Sequence, residues 1–277
     1  MKNLLIITKL LLFPYIILTQ SLIDPNLNAE LVTKIDHEFI TIIIELKDDF
    51  NIMDLKEELH QNNIHIKQRA SIICEKMQNI SNETQKNILN TIQSNNGYKN
   101  IKSSWIINSI FLEASKNLIK LIADHPDIKT IEIQNTQADI IEYIDENTSQ
   151  NLSIENGTEP GVEAINIRPL WEMGYTGKGG LVFNYDTGVW PEHPAYNKGF
   201  FANFYPMNQC WDGYFSDTPN GHVSDHGTHT LGTMAGLVEE TNDTIGIAFK
   251  SYWIANDFVT SSVATLPPIE DMITSFE

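Results

Sequence analysis

Apolar positions along the first half of the chain switch repeatedly between alternating and helical spacing. Phe39-Ile40-Thr41-Ile42-Ile43-Ile44-Glu45-Leu46 is rich in β-branched residues and predicts a strand. Ile52, Leu55 and Leu59 recur at helical spacing and predict a helix over residues 51–60. Residues 64–66 are expected as a short strand. A longer helix is expected over residues 71–93, opening on Ser71 and Glu75 and carrying Ile72, Ile73, Met77, Ile80, Ile88, Leu89 and Ile92. Asn96-Gly97 ends it. Residues 105–112 are expected as a strand, and Ser115 caps a helix that His125-Pro126 stops, since proline cannot continue a helix. Ile128, Ile131 and Ile133 mark a last strand. The order is strand, helix, strand, extra helix, strand, helix, strand. Two βαβ halves with one inserted helix predict a small α+β domain of ferredoxin-like type over residues 38–136.

The pattern then breaks. Residues 145–161 are dominated by Asn, Ser, Thr, Gly and Pro and have almost nothing to bury, so residues 137–162 are expected as an exposed linker that a protease could cut. A second domain is expected over residues 163–277. There Leu181-Val182-Phe183 enters as a buried strand and stops at Asp186-Thr187-Gly188, the strand-to-turn arrangement by which open α/β sheets place sites at the carboxyl ends of their strands. At the other end of the chain, Lys2, the apolar run from Leu10 to Leu18, and the small residues Thr19 and Ser21 predict a signal peptide over residues 1–21. Lys9 and Pro14 interrupt that run, which is shorter than the roughly 20 apolar residues of a membrane span. No stable membrane anchor is expected, and the destination is secretion, extracellular or periplasmic.

Charge narrows the function. With 18 basic against 36 acidic residues the net charge is -18, which opposes nucleic acid and anionic lipid as partners because phosphate binding relies on clustered Lys and Arg. Two cysteines, Cys74 and Cys210, exclude a disulfide-stapled scaffold and are expected to be unpaired.

Two constellations carry candidate chemistry. One is Asp186-Thr187-Gly188 at a strand end. The other runs from Asp225-His226-Gly227-Thr228-His229 to Gly236, where a helix is expected to start at or just after His226. Gly227, Gly232 and Gly236 each cost a helix about 1 kcal/mol relative to alanine, so close packing against a sheet is expected to compensate. An imidazole that takes a proton from a nucleophile becomes cationic, and a helix N-terminus opposes that cation. A carboxylate on the other ring nitrogen restores the balance and fixes the tautomer, as in a catalytic triad. The bland alternatives are a plain strand-ending turn at Asp186 and a His226/His229 zinc site. The latter has no third ligand at a characteristic spacing.

On these residues, Ile165 to Ala255 resembles the N-terminal part of subtilisin-like serine proteases. The matching stretches are residues 171–179, Asp186-Thr187-Gly188, the His226-Gly227-Thr228-His229 block with Gly232-Thr233, Ile245-Gly246-Ile247-Ala248, and Trp253-Ile254-Ala255. The order Asp, His, Ser is that of subtilisin-type triads. The resemblance implies that Asp186 is the orienting carboxylate, His226 the general base and His229 a structural histidine. It implies a doubly wound parallel sheet, protein or peptide substrates, and no required cofactor. Residues 38–136 are similar to the family's propeptide, which binds and inhibits its own catalytic domain before removal. The loop with Glu239, Glu240, Asn242 and Asp243 is read as an acidic surface loop, with a structural calcium ion as the alternative that the resemblance allows. Departures are Asn184 and Tyr185 ahead of the aspartate and Phe249 where the family commonly has proline. Ser251, Ser261, Ser262 and Ser275 lack the nucleophile's context. The expectation is therefore a serine endopeptidase precursor truncated before its catalytic serine and inactive in this form. The rival expectation is a catalytically dead chain acting as a protease inhibitor or folding chaperone.

Overall fold

The computed structural model describes residues 22–35, 38–134, 159–219, 224–260 and 266–277. The expected signal peptide and nearly all of the expected linker lie outside them. The chain divides into two compact units, Met1–Gln134 and Asn135–Glu277.

In the first unit, helix α1 (Pro25–Thr33) precedes strand β1 (Phe39–Leu46), helices α2 (Ile52–Gln61) and α3 (Ile66–Gln93), strands β2 (Tyr98–Ser104) and β3 (Ser109–Ser115), helix α4 (Lys116–Ile122) and strand β4 (Ile128–Ile133). The four strands form one antiparallel sheet in the order β2-β3-β1-β4. Strand β1 buries every second side chain, and Ile40, Ile42, Ile44 and Leu46 meet Ile88 and Ile92 of α3, Leu118, Ile119 and Ile122 of α4, and Leu27 and Leu31 of α1. Ser115 caps α4, its hydroxyl accepting from Leu118 N.

Two expectations fail here. Residues 64–66 are not a strand: the His65 ring caps α3, accepting from Lys67 N, and the helix begins at Ile66. Residues 105–112 are not one strand but the turn and second arm of a hairpin. The turn spans residues 105–108 and closes with Asn108 at φ 46°, a left-handed conformation that asparagine tolerates better than most residues. The first arm, β2, is polar and largely exposed, and cross-strand pairing to β3 defines it.

In the second unit, short helices α5 (Pro160–Ala164) and α6 (Arg168–Glu172) lead to strand β5 (Leu181–Tyr185), strand β6 (Trp211–Asp212), helix α7 (His226–Ala235), the hairpin β7 (Leu237–Val238) and β8 (Asp243–Thr244), strand β9 (Tyr252–Asn256) and helix α8 (Ile269–Thr274). Helix α5 begins inside the stretch expected as linker. Strands β5, β9 and β6 form a parallel sheet with β9 in the centre. The molecule thus mixes helix and strand and carries a parallel sheet, compatible with an α/β subtilase-like fold. Alternate side chains of β5 go to opposite faces. Asn184 meets α7, whereas Phe183 and Tyr185 pack on Phe276 just beyond α8. Trp253 fills the centre of this core, fully buried, stacked on Phe200 at 4.2 Å and donating to Tyr196 O. Phe249 packs edge-on against Trp171, whose indole donates to Ile247 O. Both cysteines are free, Cys74 exposed and Cys210 buried. Among the described residues no helix is long and apolar enough to cross a membrane.

Candidate active site

The site forms where β5 ends. Asp186 follows the strand, with its backbone N–H donating to the Asn256 side chain at 3.2 Å and its carbonyl accepting from Val259 N. Gly188, two residues on, has φ +90°, a turn that a Cβ would strain, and its N–H reaches Asn256 O. Strand β9 therefore pins the Asp186 turn from its own carboxyl end.

Helix α7 supplies the other half. It starts at His226, and its first turn lies against the Asp186 turn without intervening side chains. A Cβ on Gly227 would stand 2.1 Å from Gly188 O and 3.2 Å from Asp186 Cβ, so only glycine permits this approach. Thr187 joins the two segments, its hydroxyl accepting from Gly227 N at 3.1 Å and lying 3.3 Å from Ser224 O. Gly232 behaves differently from the sequence expectation: a Cβ there would meet nothing within 4 Å. It faces an open cleft of about 740 Å³ lined by Trp190, His193, Asp225, Thr228 and His229, so close packing on the sheet is not its role.

This docking sets His226 Nδ1 2.7 Å from Asp186 Oδ1. The carboxylate side chain is 10% exposed and the imidazole 63% exposed. Oδ1 also accepts from Thr187 N at 2.7 Å, and Oδ2 from the Thr230 hydroxyl at 2.9 Å. Thr230 in turn lies 3.0 Å from Asn184 Nδ2, which gives the buried Asn184 the partner its position demands. Among the described residues the Asn184 carbonyl oxygen, like Asn256 Nδ2, has none. Each such orphan costs about 1–3 kcal/mol. No hydroxyl among the described residues bonds to His226 Nε2, and the ring as a whole is largely exposed. A buried carboxylate on one ring nitrogen and an open second nitrogen is the arrangement that can accept a proton from a nucleophile.

Nearby groups are shaped by burial. His193 stacks on Tyr196 at 4.9 Å, and burial lowers its pKa, while burial pushes the Tyr196 hydroxyl up to about 12. Burial, aided by the neighbouring Asp257, raises the Asp212 carboxyl. His229 lines the cleft with its ring in no hydrogen bond among the described residues. No group of three or more His, Cys, Asp and Glu side chains among those residues is placed to hold a metal ion. Residues 239–242 form the turn of the β7–β8 hairpin, with Glu239 paired to Lys198. The sequence marks Asp186 and His226 as the reacting pair but gives no role to Thr230, Asn256 or Thr187. A threonine one helical turn after a candidate histidine was the available signal for the first.

No family model matches the chain. Among curated proteins, Bacillopeptidase F of Bacillus subtilis (strain 168) is 25% identical over 203 residues, 68% of this chain and 14% of that protein. Minor extracellular protease Vpr of the same strain is 39% identical over 75 residues, covering 26% of this chain and 9% of Vpr. An extracellular protease of Xanthomonas campestris pv. campestris is 26% identical over 163 residues, 50% of this chain and 26% of that protein. The chain thus spans only a small part of these relatives' length. The relatives are subtilisin-like serine endopeptidases, and the similarity supports the subtilase family and a protease at low identity.

Proposed function

We propose that the chain carries the aspartate and histidine of a secreted serine endopeptidase. The observation that carries the reading is the 2.7 Å contact between His226 Nδ1 and a buried Asp186 carboxylate, with Nε2 open. In this reading Nε2 takes the proton of an attacking serine hydroxyl and later gives it to the leaving amine, while Asp186 stabilises the imidazolium against the positive end of α7. Among the described residues no serine hydroxyl bonds to the His226 ring, and the reading assigns the nucleophile's role to none of them. Residues 38–136 act as a propeptide of ferredoxin-like type, their strand order β2-β3-β1-β4 agreeing with a split βαβ pair. Residues 1–21 direct export, and removal of the propeptide cuts within 137–162. Substrates are proteins or peptides, and no cofactor is required.

The test is peptide hydrolysis by the protein as its gene encodes it. His226→Ala and Asp186→Ala are each expected to lower kcat by several orders of magnitude, roughly 10⁴-fold, leaving residual catalysis. Unchanged turnover in His226→Ala overturns the reading.

A further inference from the structure

We infer that Thr230, held in turn by Asn184, is a positioning residue that fixes the Asp186 carboxylate and through it the tautomer of His226. The inference rests on the protease reading above.

Donor and acceptor logic gives the chain of bonds one direction. An ionised carboxylate has no hydrogen, so the Thr230 hydroxyl, 2.9 Å from Asp186 Oδ2, donates to it. The same hydroxyl lies 3.2 Å from Gly227 O, the back-bond that a helical threonine ordinarily makes. One hydrogen serves one acceptor well, and the charged, nearer acceptor wins. Having donated to Asp186, the Thr230 oxygen accepts, and Asn184 Nδ2 at 3.0 Å supplies that hydrogen. A flipped Asn184 amide would turn its carbonyl toward Thr230 and draw the hydroxyl away from Asp186.

Burial supports the assignment. Asn184 is 1% exposed, and among the described residues its carbonyl has no partner. What the residue contributes is its amide hydrogen to Thr230. Both groups stand on well-held elements: Asn184 pairs with Ala255 in the sheet, and Thr230 sits in the helix that Gly227 docks. With Thr187 N and His226 on Oδ1 and Thr230 on Oδ2, rotation of the carboxylate breaks bonds at both oxygens. A fixed carboxylate keeps the proton on Nδ1 and the lone pair on Nε2.

The experiment is ¹⁵N and ¹H spectroscopy of the histidine rings in the 277-residue chain, with His226 assigned from a His226→Gln variant. In the neutral wild type a protected Nδ1–H is expected. Thr230→Val keeps the shape and removes the donor, so the Nδ1 proton should exchange about tenfold faster or more, the effect of losing one charge-assisted hydrogen bond, and the Nε2–H tautomer should appear. Thr230→Ser should restore the wild-type signal, and Asn184→Leu should fall between. In the active protein, Thr230→Val should lower kcat about tenfold at unchanged KM, with recovery in Thr230→Ser. A wild-type His226 signal in a folded Thr230→Val overturns the positioning role and leaves the protease reading standing. If that variant does not fold, Asn184→Leu decides, and a wild-type signal there overturns the inference. No Nδ1-bound proton in the wild type removes the Asp186–His226 pair, and both readings fall together.

Discussion

The two sheets bury opposite kinds of surface. The antiparallel sheet turns Ile40, Ile42, Ile44 and Leu46 inward onto aliphatic helix faces. Gln85 and Asn108, buried in that unit, find partners there: Gln85 Nε2 donates to Ser104 O at 2.8 Å and to Ser81 Oγ, and Asn108 Nδ2 to Asp48 Oδ2. The parallel sheet instead brings Asn184, Asp186, Asn256 and Asp257 to its carboxyl end, all below one-tenth exposed. There, among the described residues, Asn184 Oδ1 and Asn256 Nδ2 have no partner. The difference separates a region arranged for packing from one that gives up stability to hold a carboxylate and an imidazole at a set distance.

The contrast can be broken on the packing side first. Ile44→Ala removes a fully buried side chain and should destabilise the first unit by about 2–5 kcal/mol. Hydrogen exchange should quicken across β1, β3 and β4 and stay unchanged in β5 and β9, and equal loss in both sheets would show that the units unfold as one. Next comes Gly227→Ala, whose new methyl group meets Gly188 O. About 1–3 kcal/mol of overpacking strain is expected, together with loss of the Nδ1–H signal of His226. Retention of that signal would show that helix and turn can part without disturbing the pair. The smallest effect belongs to His193. Burial lowers its pKa in the folded chain, so the unfolded chain binds the proton more readily. Stability should therefore be complete above the ordinary histidine value, fall as pH drops below it, and level off below the folded value. His193→Phe should flatten thermal-unfolding curves recorded across that interval.

The strongest periodicities are legible in the residues alone. Strand β1 occupies the eight residues its alternation marks, and Ser115 caps α4 where its hydroxyl and the following helical spacing place it. Strand β2, Tyr-Lys-Asn-Ile-Lys-Ser-Ser, is not legible in this way. One exposed face and a polar composition leave no pattern, and pairing with β3 alone makes it a strand. The turn at residues 105–108 hides within an apolar run because Asn108 enters a left-handed conformation that many asparagines never adopt. In the site, the order and spacing of Asp186 and His226 stand out in the residues themselves. Thr230 and Asn256 do not, since each acts through one hydrogen bond between segments 44 and 70 positions apart, and no local pattern encodes such a contact.

That separation has a kinetic consequence. Among the described residues strand β5 pairs with β9, with 70 positions between Asp186 and Asn256, whereas β2 and β3 close across a four-residue turn. Closing long loops costs entropy before any contact returns it, so parallel pairing of this span is slow and the hairpin is fast. Asp186 cannot settle its turn before β9 docks, and His226 has no seat until the turn is settled. The imidazole–carboxylate contact is therefore among the last to form, and its appearance in a refolding experiment should time the completion of the second unit.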